Sequence, residues 1–234
     1  AFLSYRFQYT GDVRLDSTFF GIYSDFDIGD ARDDYLGCTL PSSHSVYAYN
    51  ANPIYDEIAG LNPPMLGMNL FAGPLDTNGI GLPPGKVMPM IDSLIPQTGS
   101  PTYLNQFYNY ITGSWKDGTP LSYGGTGYGG DIKTDFAYPA HPANPNAWSE
   151  VSADNMPGNR KAITSFGPLT LFPGAGNEIT LALTASTAAG PSAQLAELKS
   201  FKKLQDVLVY GVWFDLPPDT LKNLCFPVVK TKEP

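Results

Sequence analysis

The chain has 234 residues, of which 42% are hydrophobic and 15% charged, so it can bury one sizeable core and global disorder is excluded. Its 22 acidic and 14 basic residues give a formal net charge of −8, which argues against nucleic acid or an anionic membrane as a partner and favours a cation. No apolar run approaches the roughly 18 residues of a spanning helix, so we expect no membrane insertion.

The first half of the chain is predicted to consist of short strands. Apolar and polar side chains alternate over residues 2–10, which indicates a half-buried strand. Apolar runs predict further strands at 18–24, 45–51 and 65–73, and a short edge strand is predicted within 86–95. The 24 glycines and 22 prolines are typical of many strands joined by tight turns and long ordered loops.

Two helices and a hairpin are predicted in the second half. Ser100 is a candidate N-cap and Pro101 fits a first helical position, which together with apolar residues at helical spacing indicates a helix near 101–112. Two apolar runs around the turn "PGAGN" predict a β-hairpin over 162–186. An apolar stripe near 191–209 predicts a second helix that packs across a sheet.

The stretch "SDFDIGDARDDY" at residues 24–35 concentrates negative charge. Its five carboxylates belong to Asp25, Asp27, Asp30, Asp33 and Asp34. Alternate carboxylates with a glycine at the sharp turn resemble an oxygen-rich calcium loop, although the glycine is one position too early for an EF-hand. We therefore expect a structural calcium ion here. The alternative is a solvated acidic turn in which Asp side chains cap backbone amides and pair with Arg32.

Aromatic residues are concentrated in two long Gly-rich and Pro-rich loops. These candidate ligand-binding residues are Trp115, Tyr123, Tyr128, Tyr138 and Trp148. Exposed rings of this kind stack on sugars, whereas buried ones would hold the loops in place. Paired carboxylates for glycoside hydrolysis also stay open, because their spacing is spatial rather than sequential.

Only two cysteines occur, Cys38 and Cys225, near opposite ends of the chain. A long-range disulfide between them is one possibility and two free thiols are the other. A disulfide-rich scaffold is excluded by the count.

Five segments together resemble a domain of large secreted proteins of Bacteroidetes that use the type IX secretion system. They are "FFGIYSDFDIGDARDDYLGC", "VYAYNAN", "NPPMLGMNLFAGP", "WKDGTPLSYGGTGYGG" and "PGNRKAITSFGPLTLFPG". The resemblance spans roughly residues 18–210, and the acidic motif is its most specific part. It implies an exported bacterial surface or secreted module that meets the type IX machinery during export. Thr39 departs from the pattern, which commonly has another Asp after the Gly-Cys.

We therefore predict one secreted domain over residues 1–234, a mostly-β, jelly-roll-like two-sheet sandwich with two packed helices and long Gly/Pro-rich loops. Its predicted role is non-catalytic: a structural or adhesive module of the bacterial cell surface, stabilised by calcium and meeting glycans or other surface proteins. The alternatives are a carbohydrate-binding module that uses the loop aromatics, and a hydrolase or hydrolase-accessory domain.

Overall fold

The computed structural model describes residues 1–41, 44–52, 62–91 and 94–200. These residues form two antiparallel sheets and two helices, which confirms the predicted β-sandwich with packed helices. The strands are β1 (Phe2–Gln8), β2 (Leu15–Asp25), β3 (Asp34–Cys38), β4 (Ser45–Asn50), β5 (Met65–Ala72), β6 (Lys86–Ile91), β7 (Arg160–Leu171) and β8 (Gly176–Ser186). The helices are α1 (Leu104–Ile111) and α2 (residues 191–200), and a 3-10 turn occupies Pro96–Thr98.

In each sheet, a strand from the beginning of the described chain pairs with a strand from near its end. Sheet A has the strand order β1-β8-β5-β4-β3, and sheet B has the order β2-β7-β6. Thus β8 lies between β1 and β5, and β7 lies between β2 and β6. Every strand predicted in the first half exists, and β6 is the edge strand expected within 86–95.

The predicted hairpin over 162–186 is wrong, although both of its strands exist. In β7, Ile163 pairs with Tyr23 and Met88 of sheet B, whereas in β8, Ile179 pairs with Tyr5 of sheet A. The turn at residues 172–175 therefore crosses from one sheet to the other, because each strand has partners on both sides in its own sheet.

The two helices cover different sheets. Leu195 and Leu198 of α2 pack with Tyr47, Tyr49 and Met65 of sheet A, as the predicted apolar stripe requires. Residues 201–209 of that predicted helix lie outside the described residues. On sheet B, the side chain of Ser165 in β7 donates to a carbonyl at the end of α1, 2.7 Å away.

Helix α1 begins later than predicted. Its N-cap is Tyr103, so Ser100 and Pro101 precede the helix. The side-chain oxygen of Gln106 accepts hydrogen bonds from the backbone of Thr102 (2.7 Å) and Tyr103 (3.2 Å). This capping by Gln106 satisfies backbone donors at the helix start and sets its first turn there.

Candidate functional site

The acidic loop connects the two sheets at one end of the sandwich. It leaves sheet B at Asp25, the last residue of β2, and enters sheet A at Asp34, the first residue of β3. Strand β3 was not predicted, and its first residue is the most buried of the five aspartates. The crossing between sheets is why these carboxylates meet partners from both layers.

Two of the five aspartates are neutralised by basic side chains. Asp25 lies opposite Lys161 in the β2–β7 ladder, and their charged atoms are 3.4 Å apart. Asp30 accepts two bonds from Nε of Arg32, at 2.8 and 3.0 Å. The Arg32 hydrogen bonds lower the pKa of Asp30 to about 2. The alternative prediction, in which Asp side chains pair with Arg32, is therefore correct for Asp30.

Asp34 is different, because it is fully buried and no basic side chain forms a salt bridge with it among the described residues. Its Oδ2 accepts from the backbone amide of Ile28 at 3.3 Å. The pKa of Asp34 is raised to about 7, chiefly by burial and also by the nearby charges of Asp33 and Asp27, against the opposing effects of the Ile28 amide and Arg160. Ionised Asp34 is therefore an unfavourable charge that a cation would stabilise.

The side chain of Asn50 lies beside Asp34. In the orientation that satisfies the surrounding groups, its amide nitrogen donates to the carbonyl oxygen of Ile28 and to Oδ1 of Asp34, at 3.0 Å each. The opposite orientation would bring the amide oxygen against the same two oxygens, which only a bound cation would favour.

The predicted cage of five carboxylates does not form as a single cluster. Within residues 1–41, 44–52, 62–91 and 94–200, no three His, Cys, Asp or Glu side chains are grouped closely enough to hold a metal ion. Asp25 and Asp30 are engaged elsewhere, and Asp33 accepts a hydrogen bond from the side chain of Asn52. Candidate cation ligands near Asp34 therefore include the Ile28 carbonyl as well as carboxylates.

A buried ion pair, which the sequence analysis missed, lies behind β3. Glu150 and Arg160 are 0% and 1% exposed, and Nε of Arg160 lies 3.0 Å from both carboxylate oxygens. Burial raises the pKa of Glu150, and the charge of Arg160 opposes that rise. The sequence signal was slight: one glutamate in a loop, and one arginine that begins a strand.

Glu150 also closes the open edge of sheet A. Its Oε1 accepts the backbone amide of Leu36 at 2.8 Å, and the carbonyl of Tyr138 accepts the amide of Cys38 at 3.1 Å. Edge-strand donors of β3 are thus satisfied by the long loop after α1. The charged pair holds this loop against the sandwich.

Most of the predicted ligand-binding aromatics are buried in the core. Trp115, Tyr138 and Trp148 are 0%, 0% and 4% exposed. The indole nitrogen of Trp115 donates to the carbonyl of Gly127 at 2.8 Å, so this ring holds the Gly-rich loop in place. Tyr123 is exposed, and Tyr128 is half-buried with its hydroxyl donating to Asp117 at 2.7 Å. Only these two of the five rings lie where a ligand could touch them.

Of the two cysteines in the predicted disulfide, Cys38 lies among the described residues and Cys225 does not. Cys38 is buried in β3, and its sulfur lies 3.1 Å from the carbonyl oxygen of Ala137. Cys225 lies outside the described residues, so the disulfide stays a prediction.

Comparisons with protein-family models, curated proteins and solved structures find no match to the chain. In the described part of the chain, no helix is long and apolar enough to cross a membrane. The resemblance to the Bacteroidetes domain stays a prediction.

Proposed function

We propose that this chain is a non-catalytic structural or adhesive module of a bacterial surface or secreted protein, in which the acidic loop binds one calcium ion. The resemblance of its five segments to exported Bacteroidetes domains supports an extracellular location and export by the type IX machinery. The calcium ion joins the end of β2 to the start of β3 and so fixes the two sheets relative to each other.

One observation carries the calcium proposal: the carboxylate of Asp34 is fully buried and is crowded by the charges of Asp33 and Asp27. Calcium is bound by six to eight oxygens, with carboxylate, amide and backbone carbonyl groups all acceptable. The proposed ligands are Asp34, the Ile28 carbonyl and, with its amide oxygen turned toward the ion, Asn50; Asp27 and Asp33 are additional nearby carboxylates. Zinc would favour sulfur or imidazole ligands instead.

The scaffold role is supported by how the remaining loops are built. Trp115 and Trp148 donate their indole hydrogens to carbonyls of Gly127 and Gly125, and the Glu150–Arg160 pair ties the following loop to β3. Long loops thus contribute to the core and hold a defined shape. A rigid surface is the property that a structural or adhesive module needs.

The experiment is thermal unfolding in chelator, followed by addition of calcium or magnesium. Calcium raises Tm and magnesium does not, because Mg²⁺ requires a tighter octahedral site and keeps its water. Asp34→Asn abolishes the calcium response. Asp25→Asn retains it, because Asp25 pairs with Lys161, and this variant is the matched control.

A second variant distinguishes cation binding at Asn50 from a simple rotation of the Asn50 amide group. Asn50→Asp adds a charged ligand, so it lowers Tm in chelator and strengthens calcium binding measured by titration calorimetry. If Asn50 only donates hydrogen bonds, the variant is destabilised and calcium restores nothing. Equal Tm values for all proteins with and without calcium would contradict the site, and turnover on peptide or glycoside libraries would contradict the non-catalytic role.

A further inference from the structure

A pocket of about 510 Å³ opens between the end of β6 and the segment that leads into β7. Its volume falls within the roughly 300–1,000 Å³ typical of ligand sites. It lies on the loop that Glu150 and Arg160 hold in place, and its lining residues include none of the proposed ligands of the calcium ion. Its apolar lining consists of Ile91, Leu94, Ile95, Met156 and Pro157.

Two apolar side chains of this pocket are almost fully exposed. Leu94 is 98% exposed and Met156 is 82% exposed, whereas Ile91 beside them is 3% exposed. A lone exposed Leu is ordinary, but an exposed Leu and Met that line the same cavity offer apolar surface to an occupant. The flexible thioether of Met156 can adapt to that occupant.

The pocket also contains a fixed donor. Arg160 uses Nε and Nη2 for Glu150, and Nη2 also donates to the carbonyl of Met156. Among the described residues, the one hydrogen bond of its Nη1 goes to the carbonyl of Asn159 at 3.5 Å, the outer limit of a hydrogen bond. Donor capacity therefore remains on a side chain that is 1% exposed and held rigidly by its ion pair.

An acceptor accompanies this donor in the pocket lining. Nδ2 of Asn155 lies 3.3 Å from both the carbonyl of Gly125 and the hydroxyl of Tyr138, while its Oδ1 accepts no hydrogen bond from the described part of the chain. Because Glu150 neutralises Arg160 and Asp154 also lines the pocket, an anion is disfavoured. The available donor and acceptor match a neutral amide group.

We propose that this pocket binds an extended peptide segment of a partner protein. An apolar side chain of the peptide lies between Leu94 and Met156, its main-chain carbonyl accepts from Nη1 of Arg160, and its N–H donates to Oδ1 of Asn155. The partner-binding surface of the module is thus the pocket beside the buried ion pair. This proposal does not depend on calcium binding.

The methionines provide a direct test. Of the five, only Met156 is exposed; the others are Met65, Met68, Met88 and Met90, all buried. The protein is labelled with ¹³C at the methionine methyl groups and titrated with N-acetyl-Gly-Leu-Gly-amide, with the Gly-Ser-Gly peptide as the control. The Met156 resonance, assigned with Met156→Ser, shifts saturably with the leucine peptide while the four buried signals stay in place.

Two surface variants locate the contact. Leu94→Ser weakens binding of the leucine peptide about tenfold, which is the loss of about 1.4 kcal/mol of contact. Leu104→Ser removes an equally exposed leucine on α1, 89% exposed, and leaves binding unchanged. No saturable shift, or an equal shift with the serine peptide, overturns the proposal. A saturable shift with the small ketone cyclohexanone and none with the leucine peptide also overturns it, and assigns the pocket to a small molecule.

Discussion

Replacing Asp34 by asparagine is expected to stabilise the calcium-free protein at neutral and alkaline pH. The carboxylate is fully buried, and its pKa rises from an ordinary 3.8 to about 7 on folding. A raised acid pKa means that the folded state favours the protonated form. The stabilisation from the protonated Asp34 side chain is therefore complete below pH 3.8. It is lost from the free energy of unfolding as the pH rises through 7.

The size of the effect follows from the same shift. A rise from 3.8 to about 7 corresponds to a loss of about 4 kcal/mol in the free energy of unfolding once Asp34 is ionised. Asparagine keeps an oxygen acceptor for the Ile28 amide and carries no charge. At pH 8 in chelator, Asp34→Asn should therefore be more stable than the wild type by up to about 4 kcal/mol, with little difference at pH 4.

The assay is urea unfolding followed by tryptophan fluorescence at several pH values between 4 and 8, in chelator and in excess calcium. Calcium should raise the stability of the wild type at pH 8 and remove the advantage of the variant. Asp30→Asn is the opposite control, because Arg32 lowers the pKa of Asp30 and the ionised form is the stabilising one. A variant that is less stable than the wild type at pH 8 in chelator would refute the reasoning.

Two further substitutions test the scaffold. Glu150→Gln should lower the free energy of unfolding by about 3 to 5 kcal/mol, because it leaves Arg160 buried without a countercharge. Arg14→Ala, which breaks an exposed pair with Asp16, should leave the free energy of unfolding nearly unchanged in the same urea titration. Trp115→Ala should cost about 3 to 5 kcal/mol, since the ring is fully buried and bonded to the Gly-rich loop. Loss of glycan binding by a fully folded Trp115→Ala protein would contradict that assignment.

The strands could be predicted from sequence because alternation and apolar runs are local properties. Their partners could not. The runs on either side of residues 172–175 have the same pattern whether the turn closes a hairpin or crosses between sheets. The choice depends on β1, β2, β5 and β6, which lie far away in the sequence.

The acidic loop was also predicted only in part. The concentration of carboxylates is visible in the sequence. Which of them find partners depends on Lys161 and Asn50, which other strands bring to the loop. Glu150 and Arg160 carry only a slight local signal. Glu150 is buried where it accepts a hydrogen bond from the edge strand β3, and Arg160 is buried beside it as the countercharge. Both roles arise only in the assembled sandwich.

The interleaving of early and late strands affects how the molecule can be made. Both β7 and β8 occupy interior positions of their sheets, yet they are the last strands of the described chain to leave the ribosome. Sheet B cannot be completed before residue 171 has been synthesised, nor sheet A before residue 186, so long-range pairing must wait for most of the chain. A nascent chain that halts before residue 160 would lack β7, the central strand of sheet B, and β8, which lies between β1 and β5. The unpaired strand edges would then be prone to aggregation.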